Sequence, residues 1–153
     1  MRIRHATPAD IPAMMALEKH AATAAHWSAE QYDAIFSGQS PTRLVLILEE
    51  ESAVQGFIVG RVLDKEWEIE NVAVAEPARR CGLGSRLVGE FINLARSQSG
   101  EAVFLEVRES NLAARGLYEK WAFVESGRRK SYYREPQEDA IVYRLDFPDM
   151  HQY

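Results

Sequence analysis

A single α/β domain, built on a mixed and mostly antiparallel sheet that carries helices, is the fold this sequence predicts. Three observations point there. The chain has 153 residues, the size of one ordinary domain. Hydrophobic residues make up 46% and charged residues 27%, the mix of a globular protein with a real core. Strand-like and helix-like segments follow one another as β-α-α-β-β-β-α-β-α-β-β, with no repeat, linker or low-complexity stretch.

The same figures exclude several classes. No apolar run approaches the roughly 20 residues that would span a bilayer; the longest clear one is Leu44–Leu48. One cysteine, Cys81, leaves no internal disulfide framework and no cysteine-cluster metal site. His5, His20, His26 and His151 show no ligand spacing, so no metal is expected. A formal charge of −5 argues against broad nucleic-acid binding but allows a local basic pocket. Met1–His5 opens a strand pattern rather than an apolar leader, and a cytoplasmic protein is the expectation.

Arg2–His5 alternates polar and apolar residues. Thr7-Pro8-Ala9-Asp10 then starts a helix: Thr7 can cap it, Pro8 needs no N–H at the first position, and Asp10 suits the positive end. That helix should run to about His20 and bury Ile11, Met14, Met15 and Leu17. Ser28-Ala29-Glu30-Gln31 is a capping-box pattern for a short helix through Tyr32, Ile35 and Phe36, and Gly38 to Pro41 breaks the chain. Leu44–Glu49, Gln55–Leu63 and Trp67–Val74 read as strands joined by turns short enough to make them antiparallel neighbours. Leu83, Leu87, Val88, Phe91, Leu94 and Ala95 form the stripe of a strong helix that Gly100 ends. Val103–Val107 is a buried-looking strand, and Asn111 opens a helix through Leu117 and Trp121. Phe123–Glu125 and Ala140–Phe147 read as the last strands, with a polar loop between Arg134 and Asp139.

The segment Arg79-Arg80-Cys81-Gly82-Leu83-Gly84-Ser85 joins a strand to a helix and carries the most chemical information. Free N–H groups at the first helical turn, together with the helix dipole, make a site for an anion such as a pyrophosphate. Gly82 and Gly84 let that backbone approach phosphates closely, and Arg79 and Arg80 add positive charge. The same spacing also suits a helix entry used only for packing. A nucleotide P-loop is excluded, since no Lys-Ser/Thr pair follows Gly84, and the third glycine of a dinucleotide fingerprint is missing.

This stretch resembles the R/Q-x-x-G-x-G/A motif of the GNAT superfamily of acyl-CoA-dependent N-acyltransferases, and the element order is similar to that family's fold across nearly the whole chain. The resemblance implies acetyl-CoA as co-substrate. Val72, Ala73 and Val74 would lie along its pantetheine arm, and Arg79, Arg80, Cys81, Gly82, Leu83, Gly84 and Ser85 along its pyrophosphate. Leu105-Glu106-Val107-Arg108-Glu109-Ser110-Asn111 through Leu117-Tyr118-Glu119 looks like the L-E-V-R-x-S-N-x-x-A-x-x-L-Y-E signature of bacterial ribosomal-protein-alanine N-acetyltransferases. Arg128-Arg129-Lys130-Ser131-Tyr132-Tyr133 and Glu138-Asp139-Ala140-Ile141 look like that family's R-R-x-x-Y-Y and E-D-A-I. His26-Trp27-Ser28 is similar to its P-W-S segment with histidine in place of proline. Arg115, where an aliphatic residue is more usual, and Gly116 depart from the pattern.

Acetyl transfer to an amine requires a neutral nucleophile, a donor for the oxyanion and a proton for the departing thiolate. Glu106, a carboxylate inside the apolar run Val103–Val107, is by that resemblance the candidate general base; pairing with Arg108 or a helix N-terminus is the structural alternative. Glu68 and Glu70 are rival bases, although their spacing of two also suits a wet strand face. By resemblance, Tyr118 is the proton donor, Asn111 caps its helix and bonds the CoA arm, and Tyr132 and Tyr133 clamp a peptide acceptor with Trp27 at the cleft mouth. A backbone N–H of Val72 or its neighbours is the oxyanion candidate. Cys81 has no histidine signature that would make it an acyl carrier. The expected activity is N-α-acetylation of a protein N-terminus, an alanine-starting ribosomal protein being the implied partner. A small-amine acetyltransferase, which would not need the tyrosine pair, and a non-catalytic acyl-CoA-binding module are the alternatives.

Overall fold

The computed structural model describes residues 1–20, 27–38, 42–75, 82–134 and 136–148. Seven strands form one sheet: β1 (Arg2–His5), β2 (Thr42–Glu50), β3 (Ala53–Leu63), β4 (Glu66–Val74), β5 (Ala102–Arg108), β6 (Val124–Arg134) and β7 (Gln137–Asp146). Their order across it is β1-β2-β3-β4-β5-β7-β6. Every neighbouring pair is antiparallel except β4 and β5. Among the described residues four helices accompany them: α1 (Ile11–Lys19), α2 (Ala29–Ile35), α3 (Leu83–Ser97) and α4 (Leu112–Lys120).

The predicted first helix begins differently. Pro8–Asp10 is a 3₁₀ turn, and α1 follows it. Asp10 is the reason the chain turns there: its carboxylate accepts the Thr7 N–H at 2.8 Å and is gripped at both oxygens by Arg4 of β1. Of the residues expected in the core, Met14 is fully buried, while Ile11, Met15 and Leu17 pack at its edge. Ser28 and Gln31 close the predicted capping box on α2.

The last two strands are longer than the sequence suggests. Residues 126–134 extend β6 beyond the predicted Phe123–Glu125, and β7 begins at Gln137 instead of after a loop to Asp139. The reason is position: β6 is an edge strand, exposed along nearly its whole length, so apolar alternation was never required of it. Ser131, at φ +52°, lies where the β6–β7 register steps between Arg129 and Tyr133.

Two apolar layers cover the sheet. One packs α3 and α4 against Leu46, Ile58, Trp67, Ile69, Leu105 and Ile141, and the other packs α1 and α2 against Val45, Ile47, Phe57 and Val59. Glycine makes the first layer possible at Gly60, where a Cβ would lie 2.7 Å from the Glu68 carbonyl and collide with the Phe91 ring. Gly60→Ala should therefore cost roughly 1–3 kcal/mol, whereas Gly116→Ala, with open space around it in α4, should stabilise the fold by about 0.5–1 kcal/mol. Urea denaturation of the two variants measures both signs.

Candidate active site

The site is set by how β4 leaves its neighbour. Opposite β3, Asn71 pairs with Val59 and Ile69 with Gly60, so Glu70 is one residue too many. Such a bulge bends a strand and tightens its twist. On the other edge, β4 pairs with β5 from Glu66↔Ala102 to Ile69↔Leu105, and the register ends there. The bulge also reverses the alternation of side chains. Trp67 and Ile69 face the α3 layer, and beyond Glu70 so do Val72 and Val74, while Ala73 packs among the residues under α1 and α2.

A cavity of about 380 Å³ opens on the α3 side of this split. Val72 and Val74 form one wall, Gly82, Gly84 and Ser85 of the α3 entry another, and Ala113, Ala114, Gly116, Leu117, Tyr118 and Lys120 of α4 the third. Gly82 caps α3 at φ +69°, a conformation glycine reaches without strain. A Cβ on Gly84 would lie 3.6 Å from Val74 and 3.8 Å from Leu117, so any larger side chain there would point between two cavity walls. First-turn N–H groups at the positive end of a fifteen-residue helix give this corner the character of an anion cradle. Ser85 is held as well: its hydroxyl accepts the Trp121 Nε1–H at 2.9 Å, and the indole packs over Gly89, where a Cβ would be 2.7 Å away. Leu83 is turned into the core, and Arg79, Arg80 and Cys81 lie outside the described residues.

Tyr118 reaches this cavity from α4. Its ring is buried, 5.7 Å from Phe123 and 6.5 Å from Tyr143 between ring centroids, and burial pushes the phenol above its ordinary pKa. Asn111 caps the helix below it, its side chain accepting the Ala114 N–H at 3.1 Å. Arg115 explains its own departure from the usual aliphatic residue. It donates to the Tyr143 hydroxyl, the Glu109 carbonyl and the Glu125 carboxylate, and so ties α4 to β6 and β7.

Glu106 stands on the opposite face of the sheet, between Leu105 and Val107, which enter the α3 layer. Its carboxylate meets Arg129 at 2.8 Å, not Arg108. Arg129 in turn lies 4.5 Å over the Tyr132 ring, Tyr132 packs edge-on to Tyr133 at 5.2 Å, and Arg108 lies 4.1 Å over Tyr133. Burial raises the Tyr133 phenol, and the Glu106 charge adds to that rise. Glu68 shares this face, paired with Arg61. Burial raises its carboxyl above the usual range, Arg61 opposes the rise, and the charges of Glu70 and Glu106 reinforce it. Glu70 is taken by Arg43 at 2.6 Å. Trp27 flanks α2, its ring 5.7 Å from Tyr32.

The proposed residues thus fall into two groups on either side of one split in the sheet. Sequence reasoning passed over Lys120, whose spacing from Ala113, Gly116 and Leu117 along one helical face was the available signal. It also passed over Glu18, buried on α1. Among the described residues, no cluster of three or more His, Cys, Asp and Glu can hold a metal ion, and no helix is long and apolar enough to cross a membrane.

A family model described as the Acetyltransferase (GNAT) family matches residues 11–123. The [ribosomal protein bS18]-alanine N-acetyltransferase of Salmonella typhimurium is 34% identical over 138 residues, 89% of this chain and 90% of that one. Its Haemophilus influenzae counterpart is 34% identical over 121 residues, 77% of this chain and 82% of that one. The crystal structure of the ribosomal-protein-S18-alanine N-acetyltransferase from Escherichia coli superposes with a TM-score of 0.85 at 28% identity, covering 99% of this chain and 98% of that one.

A carboxyl whose pKa is raised on folding binds more protons in the native state, so its linkage stabilises the fold as pH falls. Carbon-13 titration of the glutamate carboxyls should find Glu68 above the ordinary 4.5 and Glu138 below it. Relative to Glu68→Gln, the wild type should gain stability as pH drops from above the raised Glu68 value to below 4.5.

Proposed function

This chain belongs to the GNAT acetyltransferase family and is an acyltransferase; on that premise we propose that it transfers acetyl from acetyl-CoA to the α-amine of a protein N-terminus, with an alanine-starting ribosomal protein as acceptor. The observation that carries this reading is the placement of the two groups across the β4–β5 split: a cavity with a glycine-lined helix entry on one face, and Glu106, paired with Arg129 over Tyr132, on the other. The names of the relatives support the acceptor. Ribosomal proteins are made in the cytoplasm, which is where this reading puts the enzyme.

Acetyl-CoA fits the cavity side by its chemistry. Its pyrophosphate is an anion for the α3 entry at Gly82 and Gly84, and its pantetheine is a slender amide-bearing arm for the backbone of Val72, Ala73 and Val74. Asn111 contributes to holding that arm from the α4 cap. When bound, the co-substrate supplies an activated acetyl group on a good leaving group.

The chain's own residues do the rest. An α-amine with a pKa near 8 is mostly protonated at pH 7, and Glu106 accepts its proton, directly or through water. Arg129, paired with that carboxylate beforehand, orients it. The N–H of Val72 or a neighbour donates to the oxyanion. Tyr118 holds a proton at its hydroxyl for the departing sulfur, and burial keeps the phenol in that form through the neutral range. Tyr132 and Tyr133 face the peptide backbone, and Trp27 closes the far wall.

Three measurements test this reading. Gly84→Val should weaken acetyl-CoA binding in calorimetry while the circular dichroism spectrum stays native; unchanged affinity would remove the cradle from the account. Glu106→Gln should lower kcat by roughly 10²–10⁴ with acetyl-CoA affinity little changed, and higher pH should restore part of it because more amine is then neutral. If Glu68→Gln behaves that way and Glu106→Gln does not, the base is on β4. Finally, tandem mass spectrometry of an Ala-initiated peptide with an internal lysine should find acetyl on the α-amine. A lysine amine, with a pKa near 10.4, is far less often neutral at pH 7 and carries no adjacent backbone for the tyrosines to hold. Acetyl on the lysine, or faster turnover of spermidine than of peptide, overturns the N-terminal assignment.

A further inference from the structure

Glu18 is a buried carboxylate that the chemistry above leaves unused. Its residue is 3% exposed, which makes it one of three buried polar or charged residues among those described, with Asp10 and Asn71. Asp10 is matched by Arg4. Glu18 instead meets three neutral donors: its Oε1 accepts the Trp27 backbone N–H and, at 3.1 Å, the Asn71 Nδ2–H, and its Oε2 accepts the Tyr32 hydroxyl. Removing a carboxylate from water is costly even when hydrogen bonds satisfy it, and an apolar side chain would fill the same space more cheaply. Packing alone does not call for glutamate here. Position does.

The three donors come from three places. Trp27 precedes the capping box that starts α2, and Tyr32 lies one turn into α2, wedged edge-on against Phe57 at 6.3 Å. Asn71 is the residue immediately after bulged Glu70 and immediately before Val72. One carboxylate on α1 therefore fixes the entry of α2 and the strand β4 relative to each other, at the level where β4 leaves β5. It does so on the sheet face that carries Glu68 and Glu106, not on the cavity face.

We propose that Glu18 is a positioning residue for the amine acceptor. It holds Trp27 at a set distance from β4 through Asn71, which sets the width of the acceptor cleft. The inference rests on the reading that the amine arrives from the face bearing Glu106. It does not depend on which amine arrives.

The chain with Glu18→Met, Glu18→Gln or Tyr32→Phe separates this role from general support of the fold. Methionine keeps the volume and removes every acceptor. Glutamine keeps an oxygen for Trp27 and Asn71, and its amide can donate to a Tyr32 hydroxyl turned to accept. Tyr32→Phe deletes a single bond. Steady-state kinetics with the Ala-initiated peptide should show KM for the peptide raised about tenfold in Glu18→Met, which loses three hydrogen bonds, and about threefold in Tyr32→Phe, which loses one, part of the energy removed reaching the acceptor. Glu18→Gln should recover most of the loss. The Kd for acetyl-CoA, measured separately by calorimetry, should stay within twofold throughout. A folded Glu18→Met or Tyr32→Phe enzyme with unchanged acceptor KM overturns the proposal. So does an equal loss in acetyl-CoA affinity, which marks a scaffold residue. If Glu18→Met fails to fold, Tyr32→Phe decides. Should the wild type prefer spermidine to the peptide, the N-terminal reading fails by itself, and the same comparison of KM and Kd with spermidine still judges Glu18.

Discussion

From Glu66 to Ile69, β4 lies beside β5 in parallel register; beyond Ile69, the extra residue at Glu70 bends β4 with its antiparallel partner β3 and the two strands part. A sheet interior offers no room for a ligand, because each backbone group is already committed to a neighbour. A split between two central strands creates that room without exposing the core, since α3 and α4 still cover one face and α1 and α2 still cover part of the other. The glycine-lined start of α3, the cavity wall of α4 and the carboxylates of β4 and β5 all converge on this one place. Closing the split would leave each of them as ordinary surface or core.

The two sides of the split differ in how much charge they carry. Tyr118 sits among apolar neighbours with no charged partner driving its shift, so burial alone keeps its proton in place. Across the sheet, charge is dense and paired: Arg43 with Glu70, Arg61 with Glu68, Arg129 with Glu106, Arg108 with Glu138. These pairs are partly exposed, and each adds little to stability alone. Their value lies in orientation. Two of the arginines also lie over the rings of Tyr132 and Tyr133, so the carboxylates, guanidinium groups and phenols form one connected surface.

Arg115 and Glu18 show two ways in which polar residues hold this architecture. Arg115 reaches out from α4 to a hydroxyl, a carbonyl and a carboxylate and locks the helix of Tyr118 to the last two strands. Glu18 reaches inward and gathers donors from α2 and β4. Neither is visible in an apolar periodicity, because both sit at helical positions where either a core or a surface residue would be expected.

The sequence by itself determined the order of elements, the four helices and the central strands, because apolar periods of 3.6 and 2 and the caps at Ser28 and Asn111 are local properties of the chain. It also marked the glycine entry to α3, where Gly82 at φ +69° suits glycine whatever surrounds it. The full length of β6 was only partly legible: Arg128 to Lys130 with Tyr132 and Tyr133 suit an exposed strand, but an edge strand needs no buried face and shows no apolar alternation to bound it. The bulge at Glu70 was not legible either: Glu68 and Glu70 read as a regular alternation, and only pairing with β3 decides that one residue is surplus. From that bulge follow the reversal that turns Val72 and Val74 to the cavity, the split from β5 and the meeting of Glu18 with Asn71, fifty-three residues apart. Those contacts depend on how distant segments register against each other, and register is fixed by the packed sheet as a whole.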